Sequence, residues 1–98
     1  MRLLLAEDEQ ALSRALVMIL QKSGFEVDPV YDGESALESI ESGNYDAAVL
    51  DIMMPKKNGL EVLREVRQKE NLLPILLLTA KAETDDKVTG LELGEMII

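Results

Sequence analysis

The chain contains no cysteine and no histidine among its 98 residues. The absence of cysteine excludes a disulfide framework, a thiol nucleophile and a cysteine-ligated metal site. The absence of histidine excludes acid–base catalysis by imidazole, zinc sites with histidine ligands, and a phosphohistidine on this chain. Any metal ion that the chain binds should therefore be a hard cation held by oxygen ligands.

Basic residues and long apolar runs are also scarce. The 10 lysines and arginines are outnumbered by 19 aspartates and glutamates, so the formal net charge is −9. This balance argues against direct binding to nucleic acids or to anionic membranes, because both interactions need basic surfaces. The longest apolar run, residues 72–80, contains Pro74 and is far shorter than the roughly 20 residues of a membrane span. The N-terminus does not resemble a signal peptide, so we expect one cytoplasmic domain without a membrane partner.

The stretch from Ala47 to Gly59 has the clearest pattern in the chain. It opens with an apolar run without alternation, which is typical of a strand buried on both faces in a parallel sheet. Asp51 stands at the end of this predicted strand, and Pro55 then marks a turn. Asn58 and Glu61 predict the cap of a following helix. Ligands bind at the carboxyl ends of strands in open α/β sheets, so Asp51 is a candidate functional residue; the alternative is that it only caps the turn.

Strand-like and helix-like patterns alternate along the whole chain. Strands are predicted at residues 2–6, 25–31, 47–52 and 74–79, the second being an edge strand because it contains Pro29. Helices are predicted from residue 10 to a stop at Gly24, from a cap at Asp32 to a stop at Gly43, and at about residues 59–69 and 84–93. This alternation predicts an α/β fold with a parallel sheet and helices on both faces.

Acidic residues follow the first and third predicted strands. Glu7 and Asp8 come directly after strand one, and Asp51 ends strand three. If these strands are neighbours, three carboxylates converge, and each like-charged pair at about 4 Å costs about 4 kcal/mol at an effective dielectric of about 20. Protonation, a lysine or a divalent cation would offset this repulsion. Mg²⁺ fits, because it uses one or two carboxylates and keeps waters and phosphate oxygens in its shell; Thr79, at the end of strand four, would add a hydroxyl at the same edge.

Several short motifs occur together in one order and spacing. They are Glu7-Asp8, the run from Asp51 to Pro55 with Gly59, Thr79-Ala80, and the tracts 31–37 and 84–94. Over residues 1 to about 94 this set resembles the receiver domain of two-component response regulators, in particular of transcription regulators that carry a winged helix. The resemblance implies a flavodoxin-like, doubly wound parallel sheet with strand order 2-1-3-4-5.

The resemblance also implies a role for each motif residue. Asp51 would accept a phosphoryl group from a sensor histidine kinase as an acyl phosphate. Asp8 would ligate Mg²⁺, Glu7 would help through a water, and the backbone carbonyl of Met53 would complete the protein ligands. The hydroxyl of Thr79 would turn toward the phosphoryl group and switch the face of helix four. Such a module is not an enzyme and has at most weak autophosphatase activity; a DNA-binding output domain is expected in a full-length relative.

The chain departs from the family pattern after Gly94. Receivers continue into a fifth strand ending in a lysine and then a fifth helix, whereas residues 95–98 read Glu-Met-Ile-Ile. We therefore expect a C-terminally truncated receiver-like domain over residues 1–94 with strand order 2-1-3-4, its strand 5 and helix 5 missing or replaced by an apolar tail at 95–98. Strand four would then be an exposed apolar edge, and such edges pair with other chains. A homodimer or strand-exchanged oligomer follows from this expectation.

Three other functions are weighed against the phosphoacceptor. A truncated or engineered fragment with a folding or assembly role would keep the fold without the reactivity, since no residue matches the family's phosphate-binding lysine. A phosphatase of the haloacid-dehalogenase type also uses a strand-end aspartate and Mg²⁺, but it needs a second acid where Met53 stands. A flavodoxin needs hydroxyls and glycine after strand one, where residues 7–9 are acidic and would repel phosphate. The phosphoacceptor explains more of the motifs than these alternatives do.

Overall fold

The computed structural model describes residues 1–78 and the backbone of residues 96–97. The elements of this part are, in chain order, β1 (Arg2–Ala6), α1 (Gln10–Lys22), β2 (Glu26–Val30), α2 (Gly33–Ser42), β3 (Ala47–Asp51), α3 (Gly59–Gln68), β4 (Ile75–Leu78) and β5 (Met96–Ile97). The helix predicted at residues 84–93 lies outside the described residues. Within those residues, none of the helices combines the length and the apolar character that crossing a bilayer requires.

The strands form one parallel sheet in the order β2-β1-β3-β4-β5. This confirms the flavodoxin-like order for the first four strands and places β2 at an edge, as Pro29 predicts. Met96 and Ile97 pair with Leu76 and Leu77 of β4. The short tail thus takes the place of strand five, and the prediction that strand four is an edge is wrong over these residues. The division into a domain at 1–94 and a tail at 95–98 stays a prediction.

The two faces of the sheet are covered to different extents. Helices α2 and α3 pack on one face, and the strand residues that point toward them are buried: Leu4, Ala6, Ala48, Leu50, Ile75 and Leu77. Helix α1 packs on the other face over Leu3, Leu5 and Val27. On that second face Val49, Leu76 and Leu78 are half-buried. The prediction that strand three is buried on both faces is therefore correct for one face only, because α1 lies over β1 and β2.

The ends of the helices follow from local side-chain and backbone chemistry. Asp32 caps α2 by accepting the N–H three residues on at 2.8 Å. Asn58 accepts the N–H of Glu61 at 2.8 Å, and the Glu61 carboxylate accepts the N–H of Asn58 at 3.1 Å, which completes a capping box for α3. Gly24 and Gly43 follow α1 and α2 with φ of +95° and +84°, a region that glycine enters without a steric penalty. The predicted caps and stops are confirmed.

Candidate metal centre

Three carboxylates meet at the carboxyl ends of β1 and β3. These strands are neighbours with Ala6 opposite Leu50, so Glu7 and Asp51 follow at adjacent positions. One carboxylate oxygen from each of Glu7, Asp8 and Asp51 lies within 4.8 Å of the other two. The convergence that the sequence predicts is therefore present in the fold.

Backbone N–H groups hold two of these carboxylates in place. The Glu7 carboxylate accepts the N–H of Glu9 at 2.8 Å. The backbone N–H of Glu7 donates to the carbonyl of Val30 in β2 at 3.1 Å. The Asp51 Oδ1 accepts the N–H of Met53 at 3.1 Å. No side-chain pattern in the sequence predicts these contacts, because every residue except proline offers a backbone N–H.

The three acids differ in their exposure to water and in their ionisation. Glu7 is buried, Asp51 is half-buried and Asp8 is exposed. Burial raises the pKa of Glu7 from 4.5 to about 7; the Glu9 N–H opposes this shift, and the charge of Asp51 adds to it. Burial also raises the pKa of Asp51, against the hydrogen bond from the Met53 amide. Both shifts arise mainly from burial, which disfavours the charged carboxylate, and neighbouring negative charges add to them.

The donor set fits a hard divalent cation. Within residues 1–78, neither Glu7, Asp8 nor Asp51 forms an ion pair with a lysine or arginine. Lys57 in the nearby β3–α3 loop pairs with Glu65 of α3 at 2.7 Å instead. Within residues 1–78, the repulsion between these carboxylates is therefore not offset by a lysine, which leaves protonation or a divalent cation. Carboxylate and carbonyl oxygens are the ligands that Mg²⁺ prefers, so this edge of the sheet suits that ion.

The β3–α3 loop runs close to the start of α3. A Cβ added to Gly59 would lie 2.6 Å from the carbonyl oxygen of Asp51, a separation that side chains do not tolerate. The N–H of Gly59 also donates to the carbonyl of Ile52 at 2.9 Å. Glycine at this position therefore lets the helix begin directly against the backbone that carries Asp51.

An open groove of about 530 Å³ lies beside the acids. It is lined by Asp8, Met53, Met54, Pro55 and Asn58. Met53 is 63% exposed, whereas its neighbour Met54 is buried. The groove leaves space for a group much larger than a water molecule to approach this edge of the sheet.

The structure describes the positions of some of the predicted site residues but not of all. The structure brings Glu7, Asp8 and Asp51 together and places Met53 in hydrogen-bond contact with Asp51. Thr79, the predicted switch hydroxyl, lies outside the described residues. The roles assigned to these residues stay predictions, because their proximity alone does not test a reaction.

Comparison with known sequences identifies a family. Residues 3–97 match the family described as the response regulator receiver domain. The transcriptional regulatory protein DltR of Streptococcus agalactiae is 49% identical over 94 residues, which are 96% of this chain and 42% of that protein. The alkaline phosphatase synthesis transcriptional regulatory protein PhoP of Bacillus subtilis is 45% identical over 93 residues, which are 95% of this chain and 39% of that protein. The chain therefore spans about two-fifths of the length of these curated relatives.

Solved structures with the same fold cover nearly the whole chain. The receiver domain of the Francisella response regulator 1452 superposes with a TM-score of 0.94 at 28% identity, covering 99% of this chain and 81% of that one. The response regulator TrrA of Thermotoga maritima, crystallised in complex with Mg²⁺ and BeF, superposes with a TM-score of 0.88 at 38% identity, covering 99% of this chain and 84% of that one. These similarities agree with the sheet order.

Proposed function

Because this chain belongs to the response regulator receiver domain family, we propose that it is the phosphoacceptor module of a two-component system. Domains of this family are signalling modules rather than enzymes. Asp51 would take a phosphoryl group from a sensor histidine kinase. The observation that carries the proposal is the convergence of Glu7, Asp8 and Asp51 within 4.8 Å at one edge of the sheet, where Asp51 remains partly accessible to an incoming group.

The proposed reaction transfers one phosphoryl group between two side chains. A carboxylate oxygen of Asp51 attacks the phosphorus of a phosphohistidine on the kinase. A P–O bond forms as the P–N bond breaks, and the imidazole leaves with the electron pair of that bond. The Met53 N–H would hold the orientation of the carboxylate through its bond to Oδ1. Such positioning, together with charge neutralisation, is most of what phosphoryl transfer requires.

Mg²⁺ would supply the charge neutralisation when bound. Asp8 and Asp51 would ligate it directly, Glu7 would act through a water, and Met53 would contribute its backbone carbonyl. The raised pKa values of Glu7 and Asp51 support this assignment, because burial, with a smaller contribution from neighbouring acids, disfavours their charged forms and a bound cation would favour them. The Mg²⁺ and BeF complex of the Thermotoga relative supports it independently.

The output of the module is proposed from the family. A phosphoryl group would add roughly −1.5 to −2 charges, by analogy with phosphoserine, and the hydroxyl of Thr79 would pass this change to the helix predicted at 84–93. We propose a sensor kinase as the partner, slow loss of the phosphoryl group by weak autophosphatase activity, and a DNA-binding output domain in the whole protein. This chain, with its net charge of −9, would not bind DNA itself. Its cytoplasmic location stays a prediction.

Phosphorylation in vitro tests the proposal directly. The chain is incubated with Mg²⁺ and acetyl phosphate, and intact-mass spectrometry counts the phosphoryl groups added. We expect one group on the wild type and none on Asp51→Asn. Asp46→Asn is the matched control, because Asp46 lies before the other end of β3, where it accepts the N–H of Arg2 at 2.7 Å. Equal labelling of the wild type and Asp51→Asn, or no labelling of the wild type, would contradict the proposal.

The partly covered sheet face favours a second function, assembly. Val49, Leu76 and Leu78 are half-buried on the α1 side, and β5 pairs with β4 through two residues. Apolar surface of this kind stabilises contacts between chains. A fragment with this function would form a homodimer or strand-exchanged oligomer whether or not Asp51 reacts. Light scattering that shows a folded monomer at high protein concentration would exclude it.

A further inference from the structure

The first residue of α2 lies against the loop that follows β3. A Cβ added to Gly33 would lie 2.6 Å from both the carbonyl carbon and the Cβ of Lys57, and closer still to the Lys57 carbonyl oxygen. Contacts under 3.0 Å are not found for real Cβ atoms. Any side chain at this position would therefore force α2 and the β3–α3 loop apart.

The loop, rather than the helix, would have to move. Helix α2 is anchored in the core by Ala36, Leu37 and Ile40, all of which are buried. The loop is the more exposed of the two elements, since Met53, Pro55 and Lys56 are exposed. Close-packed interiors resist displacement more than surface loops do.

The loop is held in an uncommon conformation by contacts with α2 and α3. The N–H of Gly33 and the N–H of Lys57 both donate to the carbonyl of Pro55, at 3.3 and 2.8 Å. Lys56 has a φ of +69°, which non-glycine residues rarely adopt. The Lys57 ammonium pairs with Glu65 of α3 at 2.7 Å. The contact with Gly33 is thus one of several that fix the course of the loop.

We propose that Gly33 is a positioning residue for the metal centre, and that α2 sets the position of the Met53 carbonyl by direct contact with the β3–α3 loop. This inference rests on the proposed function, because it assumes that the acids and the Met53 carbonyl bind Mg²⁺. Gly33 itself touches neither the ion nor the reacting atoms. It acts through Lys57 and Pro55, which lie two to four residues beyond Met53 in the same loop.

The geometry of Mg²⁺ explains why a small displacement has a measurable effect. The ion requires nearly octahedral coordination with ligands at about 2.0–2.1 Å, so a displaced carbonyl cannot be accommodated by a longer bond. Pro55 has a fixed φ and transmits movement along the loop instead of absorbing it. Loss of a group that orients a metal ligand weakens metal binding by roughly 10- to 100-fold.

Calorimetric titration with Mg²⁺ of the wild type and two variants tests the inference. Gly33→Ala introduces the clash with the loop. Gly43→Ala is the matched control, because Gly43 lies at the other end of α2, has a φ of +84° and has nothing within 4 Å of an added Cβ. The control therefore strains the same helix without touching the loop. We expect Gly33→Ala to weaken Mg²⁺ binding at least about tenfold and Gly43→Ala to leave it within about twofold of the wild type.

Each other outcome counts against the inference. Equal affinities of Gly33→Ala and the wild type overturn it while leaving the proposed function intact. Equal losses in Gly33→Ala and Gly43→Ala assign the effect to lower stability and also overturn it. A wild-type chain that binds no Mg²⁺ overturns the proposed function, and this inference with it.

If Gly33→Ala does not fold, amide hydrogen exchange on the wild type tests the proposed coupling between Gly33 and the metal centre. Coupling between two sites is reciprocal, so Mg²⁺ should strengthen the contact between α2 and the loop. The N–H of Gly33, bonded to the Pro55 carbonyl, should then exchange more slowly when Mg²⁺ is present, and the N–H of Gly43, bonded to the Ile40 carbonyl, should not change. An unchanged rate at Gly33 would overturn the inference.

Discussion

Acidic residues at the two ends of the sheet have pKa values shifted in opposite directions. Toward the amino end, Asp28 accepts the Tyr45 hydroxyl at 2.8 Å and the Arg2 guanidinium at 2.7 Å, and both contacts lower the pKa of Asp28. At the carboxyl end, burial raises the pKa of Glu7 and of Asp51. Asp28 is stabilised as a carboxylate by its partners, whereas the acids at the carboxyl end have no basic partner among the described residues. Raised pKa values of this kind make Glu7 and Asp51 candidates for a functional role.

The amino-end cluster ties together three parts of the chain. The Arg2 guanidinium lies 5.1 Å from the centre of the Tyr45 ring, within reach of a cation–π interaction. The backbone N–H of Arg2 donates to Asp46 at 2.7 Å, and the N–H of Asp46 donates back to the carbonyl of Arg2 at 2.8 Å. These contacts join β1 to β2 and to the segment that enters β3. Among the described residues, the Asp28 carboxylate thus has a basic partner, which none of the three acids at the carboxyl end has.

The largest expected difference between the two ends is the pH dependence of the free energy of unfolding that Glu7 causes. The folded chain holds the Glu7 proton up to about pH 7, whereas the unfolded chain releases it near 4.5. Without Mg²⁺, the free energy of unfolding should therefore fall by about 3 kcal/mol as the pH rises from 4.5 to 7, and then level off. Urea titrations in EDTA across this range measure the fall. Glu7→Gln should remove the part of the fall due to Glu7 and leave the part due to Asp51, whose pKa is also raised; an equal fall in that variant would assign the effect to other groups.

Added Mg²⁺ should sharpen the contrast by stabilising the carboxyl end. An ion that binds only the folded chain raises the free energy of unfolding by about 2.7 kcal/mol at a concentration about a hundred times its Kd, and we expect a gain of this size with Mg²⁺. Asp8→Asn should lose most of this gain, and Asp46→Asn at the amino end should keep it. Urea titrations at pH 7.5 with and without Mg²⁺ compare the three proteins. A full gain in Asp8→Asn would place the ion elsewhere.

Breaking the amino-end cluster should have a smaller effect, and one that does not depend on Mg²⁺. Asp28→Asn should lower the free energy of unfolding by about 1 kcal/mol, because the Asp28 side chain is 43% exposed and solvent screens its ion pair. Glu26→Gln on the same strand is the control, since Glu26 is exposed. Denaturant titrations give the stabilities and calorimetry gives the Mg²⁺ affinities. A change in Mg²⁺ affinity in Asp28→Asn would show that the two ends are coupled.

The last comparison, which includes the smallest expected effect, concerns one loop at each end of the sheet. Asn44 before β3 and Lys56 after it have φ of +87° and +69°, and asparagine tolerates this region better than lysine does. Lys56→Asn should therefore raise the free energy of unfolding by about 0.5 kcal/mol, and Asn44→Ala should lower it by about 1 kcal/mol. Denaturant midpoints measure both changes. A loss of stability in Lys56→Asn would show that its side chain, and not its backbone, matters in the loop.

The parts of the fold that sequence analysis predicted well are those that depend on near neighbours. The capping box of Asn58 and Glu61 is confirmed because both partners lie within one helical turn. The edge position of β2 is confirmed because Pro29 cannot donate a hydrogen bond in a central strand. The convergence of the acids is confirmed as well, but it depended on the strand order that the resemblance implied, in which β1 and β3 are neighbours although they are not consecutive in the chain.

The predictions that failed concern how elements cover one another. The apolar run in β3 indicated burial on both faces, yet Val49 is only half-buried because α1 lies over β1 and β2. The edge of β4 is paired with Met96 and Ile97, so the expectation of an exposed edge is wrong and the alternative of an apolar tail in place of strand five is confirmed for these residues. The incomplete cover of β3 has no local signal, because burial depends on elements distant in the chain.

The sequence by itself determined the chemistry that is open to this protein. Without cysteine or histidine its metal ligands must be oxygens, and acids placed after two strands of a parallel sheet meet at one edge. The tertiary structure decided which of these acids is buried, that the N–H groups of Glu9 and Met53 hold Glu7 and Asp51, and that Gly33 touches the β3–α3 loop. The physical reason is that pKa values, backbone contacts and close approaches depend on distances set by the packing of the whole domain, which no local pattern contains.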